Sequence, residues 1–353
     1  MTTPKIVSLQ EIEKVTGGAE FDIQLIEAIA QGYVDFSASR FNLCPIQTMG
    51  APPMAPFLCK IESETSDEDY AAQVCVKSGY VTGDPYFVLK VASGGRPLPQ
   101  NDGLMQVYSQ RTGSLQALLL DQGILTELRT AAAGAVAVRE FLGSSDAQNA
   151  GRTDGPAVER IGMIGTGIQA RFQLRYLRKV TACRDLLLWG RSKDKVETLK
   201  KELESKHSND DDTDGWNVSV AEDPAELIRS CTIIVTTTTA RSPILQQVPP
   251  SGHARLIVCI GADSVGKQEL SSDLVGAANL LVCDSKGQTV ERGEFQHALR
   301  ERKVQLEEVV EIGEVVGTGR MNQVRMSGGL VIFDASGVAV QDCVVAKMVY
   351  ESL

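Results

Sequence analysis

The sequence predicts an α/β protein that combines a doubly wound parallel sheet with a second, α+β domain. Three observations lead to this prediction. Between residues 160 and 283, short apolar strands alternate with helical segments, which is the pattern of βαβ units. Residues 41–120 instead hold short β-rich runs separated by turns, which is the pattern of hairpins. The chain of 353 residues is also longer than a typical domain of about 150 residues.

The first part of the chain is predicted to join helices to a sheet. Ser8 and Glu11 have the spacing of a capping box at the start of a helical region, 8–36. Residues 125–142 are apolar on nearly every side and predict a buried helix. Gly, Ser, Asp and Asn dominate residues 143–158, which we interpret as a domain boundary. The runs that predict an antiparallel or mixed sheet are 73–76, 86–92, 104–108 and 114–120.

The second part is predicted to form the parallel sheet. Its strands are expected at 160–164, 186–189, 218–220, 233–237, 256–260 and 280–283. Its helices are expected at 169–180, 193–206 and 224–229. At the end of the chain, residues 330–333 predict a strand and residues 338–350 a helix, with a turn between them.

Composition and charge exclude several classes of partner. Lysine and arginine number 35 against 45 aspartates and glutamates, a formal charge of −10, which argues against nucleic acid and anionic membranes as partners. No apolar run approaches the ~18 residues of a membrane helix, and the N-terminus lacks the apolar core of a signal peptide. The eight cysteines are scattered without a C-x-x-C pair, and there are only three histidines. We therefore expect a cytoplasmic protein with reduced thiols and no metal site.

The segment 165–170, which reads GTGIQA, follows a predicted strand and opens a predicted helix. In this context a glycine loop is typical of a dinucleotide-binding Rossmann domain. Gly165 allows the tight turn, Gly167 lets the backbone approach a pyrophosphate, and the helix N-terminus offers free N–H groups to the phosphates. An ordinary strand-to-helix turn is the alternative. The candidate cofactor-binding residues here are Gly165, Thr166, Gly167, Ile168 and Gln169, together with Thr130 and Thr237.

The end of the next strand discriminates between NAD and NADP. An NAD site has Asp or Glu there to hold the ribose 2′-hydroxyl, whereas this chain has Arg191 and Ser192 and no acid before Asp194. A guanidinium and a hydroxyl are suited to a 2′-phosphate, so we predict NADP(H) as the cofactor. NAD(H) is the alternative if these residues are only solvated parts of a loop.

Several motifs, in order along the chain, resemble the ornithine cyclodeaminase/mu-crystallin family. Residues 125–133 (LTELRTAAA) resemble the family's L-T-x-x-R-T-A-A segment, and residues 165–170 resemble its G-x-G-x-Q-A loop. Residues 261–270 (GADSVGKQEL) are similar to its G-[AG]-D-x-P-G-K-x-E-L loop, with valine in place of the usual proline. Residues 293–294 (GE) and the closing segment 333–342 match as well.

This resemblance implies a fold and a chemistry. The fold consists of a substrate-binding and dimerisation domain, here 1–130 with 325–353, and a Rossmann domain, here 131–324. The resemblance also implies a homodimer. The chemistry is hydride transfer at the α-carbon of an amino acid, or in the reverse direction onto a cyclic or linear imine, so the expected partner is a small-molecule amino or imino acid.

The resemblance also implies roles for single residues. Arg129 takes the position of the arginine whose planar fork grips the substrate carboxylate. Lys90 takes the family's lysine position, with a catalytic and a substrate-binding role. Asp263 is the expected acid/base beside the reacting nitrogen, in a loop where open α/β sheets bind ligands, and Thr130 adds a hydroxyl near substrate or cofactor. Without the resemblance, these residues would be interpreted as a surface lysine, a helix-capping arginine and a turn-forming aspartate.

One position departs from the family's pattern. The family usually carries P-x-R-T near residue 45, and that arginine also grips the substrate carboxylate, but this chain reads PIQT at 45–48. Gln47 can donate hydrogen bonds to the substrate but carries no charge. Lys60, Lys77 or Arg96 is a candidate for the missing charge, or else the substrate presents a different group.

Three functions are open at this point. The first is an NAD(P)-dependent ketimine reductase or amino-acid cyclodeaminase. Within it, Asp263 favours cyclodeamination, Arg191 favours net reduction, and Gln47 counts against ornithine itself. The second is a dehydrogenase of the alanine type. The third is a non-catalytic NADP(H)-binding protein of the crystallin kind, against which the intact Lys90 and Arg129 argue.

Overall fold

The computed structural model describes residues 3–50, 73–94, 101–143, 158–204, 215–250 and 255–353. Most of the predicted boundary segment 143–158 lies outside these ranges, as do Lys60 and Arg96. Contacts divide the chain into two units. Unit 1 consists of Met1–Phe21, Ser39–Thr126 and Ala339–Leu353, and unit 2 of Asp22–Ala38 and Glu127–Val338.

The strands and helices expected from the sequence are present, with shifted bounds. Up to residue 142 the elements are β1 (Lys5–Val7), α1 (Leu9–Thr16), α2 (Ala19–Ser37), β2 (Phe41–Leu43), β3 (Gln47–Met49), β4 (Gln73–Val81), β5 (Tyr86–Gly94), β6 (Asn101–Ser109), β7 (Leu115–Leu119) and α3 (Ile124–Leu142). The following elements are β8 (Ile161–Ile164), α4 (Ile168–Val180), β9 (Asp185–Trp189), α5 (Lys193–Glu204), β10 (Asn217–Val220), α6 (Pro224–Ser230), β11 (Ile233–Thr236), β12 (Arg241–Leu245), β13 (Arg255–Cys259), β14 (Gln268–Leu270), α7 (Ser272–Gly276), β15 (Leu280–Cys283), α8 (Lys286–Glu291), α9 (Gln296–Arg300), β16 (Val309–Glu311), α10 (Arg320–Met326), β17 (Leu330–Asp334) and α11 (Ala339–Glu351). Among the described helices, none has both the length and the apolar character that a membrane crossing requires.

The helical region predicted at 8–36 consists of two helices. The capping box is confirmed, because the Glu11 N–H donates to the Ser8 hydroxyl at 3.4 Å and the Ser8 N–H donates to the Glu11 carboxylate at 2.8 Å. Two glycines separate α1 from α2, and glycine disfavours a continuous helix. Asp22 in α2 is buried and accepts hydrogen bonds from Nε and Nη2 of Arg175 at 2.8 and 2.9 Å. This bidentate pair anchors α2 within unit 2.

Unit 1 is built on a seven-stranded sheet of order β1-β7-β6-β5-β4-β2, in which β3 also pairs with β4. Strands β4 to β7 are antiparallel neighbours, while β1 joins β7 in parallel. The sheet is therefore mixed, as the hairpin pattern predicts. Helix α11 packs against β4, β5 and β6 and buries Val345, Ala346 and Val349.

Unit 2 is built on an eight-stranded parallel sheet of order β10-β9-β8-β11-β13-β17-β15-β16. Its first five places follow the 3-2-1-4-5 order of the Rossmann fold, with β8 as the first strand, so that fold is confirmed. Every residue of β8, β11 and β13 is buried, as expected for a parallel sheet covered on both faces. The strand order reverses between β8 and β11, and ligands of this fold bind at the carboxyl ends of strands beside such a point.

The observed units differ from the predicted division of the chain. The sequence places residues 325–353 with the first domain, but β17 lies between β13 and β15 in the parallel sheet. All residues of β17 are buried, which suits a central parallel strand, so only the chain from Ala339 onwards belongs to unit 1. The predicted boundary at 130/131 lies inside α3, and the observed division of the chain falls in the first turn of that helix, between Thr126 and Glu127.

Candidate active site

The glycine loop lies in unit 2, after β8 and next to the end of β11. Gly165 has a φ of +117°, which residues other than glycine rarely adopt, and its N–H donates to the carbonyl of Trp189 at 2.9 Å. A Cβ on Gly165 would clash with the hydroxyl of Thr237, which itself donates to the Ile164 carbonyl at 3.1 Å. The tight turn therefore requires glycine, and Thr237 supports the loop from the neighbouring strand.

At Gly167, neither the backbone conformation nor the packing requires a glycine. It caps α4 with φ −79° and ψ −169°, an extended conformation that any residue adopts. Nothing lies within 4 Å of a Cβ built on it, and no side chain caps the helix. The first turn of α4 therefore faces open space with its N–H groups and positive dipole end. This open space, which a side chain would enter, fits the pyrophosphate of a dinucleotide.

Arg171 braces the glycine loop, a role that sequence reasoning missed. Its Nη1 donates to the carbonyls of Thr166 and Gly167 at 2.9 and 3.0 Å. Its Nη2 also lies 2.6 Å from the carboxylate of Glu202 in α5. An arginine one turn after the last glycine of the loop is the signal that could have revealed it, because that spacing returns the side chain to the loop.

Helix α3 is bonded to α4 through two glutamines. Gln169 donates from Nε2 to the carbonyl of Glu127 at 3.2 Å and also to its carboxylate. Gln173 donates to the carbonyl of Thr130 at 3.1 Å. The structure thus directs the Gln169 side chain to α3, while Thr130 and the buried Arg129 lie on that same helix. The predicted cofactor contact of Gln169 stays a prediction.

The segment after β9 carries the residues predicted to choose the cofactor. Arg191 and Ser192 are exposed and precede α5, whose first acidic residue is Asp194. A Cβ on Gly190 would lie 3.0 Å from Cγ2 of Thr166, so this segment passes close to the glycine loop. A guanidinium and a hydroxyl, with no carboxylate between them and the strand end, are suited to a phosphate.

The predicted acid/base Asp263 lies in the loop between β13 and β14. Its side chain is 54% exposed and its Oδ1 is 2.5 Å from Nζ of Lys267. The loop is held at its far end by Gln296, which accepts from the Gly266 N–H at 2.8 Å and donates to the carbonyl of Lys267 at 3.2 Å. Asp263 is therefore an accessible carboxylate on a fastened loop.

Two buried glutamates fasten the near end of the same loop. The Glu269 carboxylate accepts from the N–H of Gly261 at 2.9 Å and from the N–H and hydroxyl of Thr238 at 2.7 Å each. Glu294 accepts from the N–H of Glu269 at 2.9 Å and from that of Leu270 at 2.6 Å. Burial raises the pKa of Glu269, and burial together with the charge of Glu269 raises the pKa of Glu294 well above its usual range.

Lys90 belongs to unit 1, where β5 places it in a buried cluster. Its Nζ lies 2.9 Å from Oδ1 of Asp342 in α11, and both side chains are almost fully buried. Asp121, also buried, accepts from the Leu125 N–H at 3.2 Å. Burial raises the pKa of Asp121 to about 6, against the lowering effects of that hydrogen bond and of the Lys90 charge. Lys90 is thus a compensated internal cation rather than a surface lysine.

The structure does not bring Gln47 together with Lys90. Gln47 is exposed and pairs with Val76 in β4, and Val76 pairs with Val91 in β5. Since directly paired residues share a face and neighbours alternate, Gln47 lies on the opposite face of the sheet from Lys90. Its predicted contact with the substrate stays a prediction.

Sequence reasoning quoted Glu269, Glu294 and Asp342 within motifs but gave them no role, and it did not single out Asp121. The available signal was an acid inside an apolar run, as in LLLD at 118–121 and VQDCVV at 340–345, because a buried acid needs partners. Within the described ranges, no group of three or more His, Cys, Asp or Glu residues is placed to hold a metal ion.

Comparison with known proteins places these features in context. The family model described as Ornithine cyclodeaminase/mu-crystallin family matches residues 86–353. The chain is 34% identical over 291 residues to an uncharacterized cyclodeaminase of Sinorhizobium fredii, covering 80% of this chain and 81% of the relative. An alanine dehydrogenase of Archaeoglobus fulgidus is 32% identical, with 72% and 71% covered. The solved iminosuccinate reductase of Paracoccus denitrificans, in complex with NAD+, is similar with TM-score 0.75 and 25% identity over 99% of this chain and 96% of that chain.

Alanine substitutions at the two glycines of the loop should have different effects, one on cofactor binding and the other on stability. Gly167→Ala is expected to leave the thermal unfolding midpoint within about 2 °C of wild type, because its backbone and space accept alanine. It should weaken NADPH binding by roughly tenfold or more, because the methyl group enters the phosphate space. Gly165→Ala should instead lower the free energy of unfolding by about 2–4 kcal/mol through the clash and positive φ. Unfolding curves and a fluorescence titration measure both, and wild-type NADPH affinity in Gly167→Ala would contradict this assignment.

Asp121 should make stability depend on pH. Its folded pKa of about 6 exceeds the ordinary 3.8, so the folded state binds more protons between these values, and the free energy of unfolding falls as pH rises through this window. Asp121→Asn does not have this pH-dependent loss, so its stability relative to wild type should rise by about 2 kcal/mol between pH 4 and pH 6.5. Urea unfolding across pH measures the difference, and exposed Asp102→Asn is the control. A gain that does not change with pH would refute the prediction.

Proposed function

Because the chain belongs to the ornithine cyclodeaminase/mu-crystallin family, we propose that it reduces the C=N bond of a small imino acid with NADPH. It is an NAD(P)-dependent oxidoreductase of that family, which transfers hydride at the α-carbon of an amino or imino acid. The proposal goes further in naming the cofactor form and the direction. The relatives named above include an iminosuccinate reductase and an alanine dehydrogenase, both of which act on such carbon–nitrogen bonds by their names.

The observation that carries the proposal is the surface after β9. Arg191 and Ser192 are exposed there, and the first acid is one residue inside α5, at Asp194. A carboxylate in this segment would repel a 2′-phosphate, whereas a guanidinium binds one through two parallel hydrogen bonds. This arrangement supports NADP(H) over NAD(H). Since NADPH is the usual donor in reductive metabolism, it also supports the reducing direction.

The substrate carboxylate is assigned to Arg129 and Lys90. Arg129 is 5% exposed on α3 and Lys90 is 3% exposed on β5, so both charges are held in surroundings of low dielectric, where a carboxylate binds more strongly than at the surface. The hydrogen bonds of Gln169 and Gln173 fix α3 against α4. Asp342 fixes the ammonium of Lys90. Each cation is thus held in place within its own unit before a substrate binds.

We assign Asp263 the role of donating a proton to the substrate nitrogen. When bound, the reduced nicotinamide supplies a hydride to the imine carbon, and the nitrogen must gain one proton for the amine to form. Asp263 is half exposed, so its carboxyl can be recharged from solvent after each turnover. Lys267 holds Oδ1 at 2.5 Å and fixes the position of the carboxyl group. The same residues run the oxidative reaction in reverse, which is how a cyclodeaminase or an alanine-type dehydrogenase would use them.

Two further attributes belong to the proposal. We expect a homodimer, and the support is the edge of the unit 1 sheet, where β1 is the last strand among the described residues and Ile6 is 71% exposed. Such an edge offers unpaired backbone groups to a second strand. We also expect a cytoplasmic location, which the free thiols of all seven described cysteines support.

The cofactor preference should depend on Arg191. Arg191→Ala is expected to weaken NADPH binding by roughly 10- to 100-fold and NADH binding by less than about twofold, because only NADPH has the phosphate that the guanidinium contacts. Titrations that follow quenching of tryptophan fluorescence measure both constants. Exposed Arg229, which lies 3.7 Å from Asp223, provides the control Arg229→Ala, with both affinities unchanged. Equal losses for the two cofactors would refute the phosphate contact.

Turnover should depend on Asp263. Asp263→Asn is expected to lower kcat by roughly 10²- to 10⁴-fold, since the amide cannot donate a proton to the nitrogen, while NADPH affinity stays unchanged. The assay follows NADPH oxidation with the imine that forms from pyruvate and methylamine. Asp273→Asn, which breaks a 2.6 Å pair with Lys303 at the surface, is the matched control. Unchanged turnover would remove Asp263 from the mechanism, and a wild type that binds NADPH but reduces no imino acid would favour the non-catalytic alternative.

A further inference from the structure

The side chain of Arg171 in α4 sets the orientation of two peptide groups in the glycine loop. Its Nη1 donates to the carbonyl of Thr166 at 2.9 Å and to the carbonyl of Gly167 at 3.0 Å. A peptide group is planar and trans, so its C=O and the N–H of the next residue point in opposite directions. The two carbonyls that Arg171 holds therefore direct the N–H groups of Gly167 and Ile168 away from the guanidinium.

These two N–H groups are available to a ligand. Gly167 caps α4 and Ile168 is its first residue, and N–H groups at such positions have no carbonyl partner within the helix. Nothing lies within 4 Å of a Cβ built on Gly167, so there is open space next to the loop. Arg171 lies on the carbonyl side of these peptide groups, and it acts on a phosphate through the backbone.

Without Arg171, these peptide groups would be free to turn over. Gly165 and Gly167 flank Thr166, and glycine opposes such a rotation less than any other residue. The carbonyl of Thr166 precedes the helix cap, and the first carbonyl to accept a bond within a helix is that of the cap itself. A peptide that turned over would present a carbonyl oxygen to the phosphate space in place of an N–H, and its partial negative charge would repel an anion.

Glu202 in α5 holds the guanidinium in place. Its Oε2 accepts from Nε of Arg171 at 2.8 Å and lies 2.6 Å from Nη2. Nη1 bonds the loop, so one planar guanidinium divides its donors between a carboxylate and two peptide carbonyls. The side chains of Arg171 and Glu202 are 36% and 46% exposed, and an ion pair with this exposure contributes little to stability. The arrangement therefore indicates a role in binding more than a role in holding the fold.

We propose that Arg171 is a positioning residue for the cofactor, which presets the backbone N–H groups of Gly167 and Ile168 to bind the pyrophosphate. The inference rests on the proposed function in one respect, that the dinucleotide binds at the glycine loop. It does not depend on the 2′-phosphate, because NADPH and NADH share the same pyrophosphate. Arg171 thus raises the affinity for both cofactors, whereas Arg191 discriminates between them.

The test compares three ligands by isothermal titration calorimetry: NADPH, NADH and adenosine 2′-monophosphate, which lacks the pyrophosphate. Arg171→Met should weaken the binding of NADPH and NADH by the same factor, roughly tenfold if the correct peptide orientation falls to about one tenth of the population. The affinity for adenosine 2′-monophosphate should stay unchanged. Arg171→Lys should recover most of the loss, because an ammonium group also donates to two carbonyls. Arg229, which is exposed on α6, provides the control Arg229→Met, with all three affinities unchanged.

A purely structural role for Arg171 predicts a different result. Under the inference, Arg171→Met unfolds within about 2 °C of wild type, because it removes a partly exposed ion pair. Equal losses of affinity for all three ligands would indicate a disturbed domain and would overturn the inference. A loss confined to NADPH would overturn it too, because Arg171 would then be a ligand of the 2′-phosphate. Unchanged affinity for both cofactors would have the same consequence.

Gly167→Ala separates a failure of this inference from a failure of the proposed function. Weaker binding of both cofactors in Gly167→Ala but not in Arg171→Met would keep the loop as the cofactor site and overturn the role of Arg171. Unchanged affinities in both variants would overturn the loop assignment as well. A wild type that prefers NADH would refute the preference for NADPH alone, and the titration with NADH would decide on Arg171.

Discussion

The buried carboxylate of Glu269 connects the carboxyl ends of two parallel strands, where the candidate site is built. Its oxygens accept hydrogen bonds from Thr236 and Thr238, at the end of β11, and from Gly261, just after β13. These two strands are neighbours at the centre of the sheet, and the loop that carries Asp263 begins at Gly261. An apolar residue in place of Glu269 would leave several buried donors unsatisfied, so strand ends and loop geometry depend on one carboxylate.

Buried charge recurs in both units, and in each it lies next to residues with proposed chemistry. In unit 2, Glu294 bonds the backbone of Glu269, and the two acids raise each other's cost of ionisation. In unit 1, Lys90 pairs with the buried carboxylate of Asp342. Its charge also acts on Asp121, whose pKa burial raises to about 6. Such groups lower the stability that an apolar core would provide. In return, their positions are fixed before substrate arrives, which is what preorganised electrostatics requires.

The proposed cofactor site depends on two glycines, Gly165 and Gly167, whose lack of a side chain leaves room for the turn and for a phosphate. Gly165 is required by its own positive φ and by the hydroxyl of Thr237, whereas Gly167 is required by neither backbone nor packing. The proposed phosphate contact would explain why the second position is also glycine. Arg171 bonds the loop carbonyls, so the loop keeps its shape without a ligand and loses little conformational entropy when one binds.

Local sequence determined much of this protein. The alternation of apolar runs predicted the strands and helices of the Rossmann domain, and the glycine spacing predicted the loop, because strand period and turn geometry depend on near neighbours. The capping box of Ser8 was local for the same reason. Tertiary structure alone decided that Asp342 pairs with Lys90, 252 residues away, and that Lys77, paired with Lys90 across β4 and β5, shares its face while Gln47 does not. Register and burial bring such distant residues together, and a pattern within one segment carries no information about the face or partner it meets.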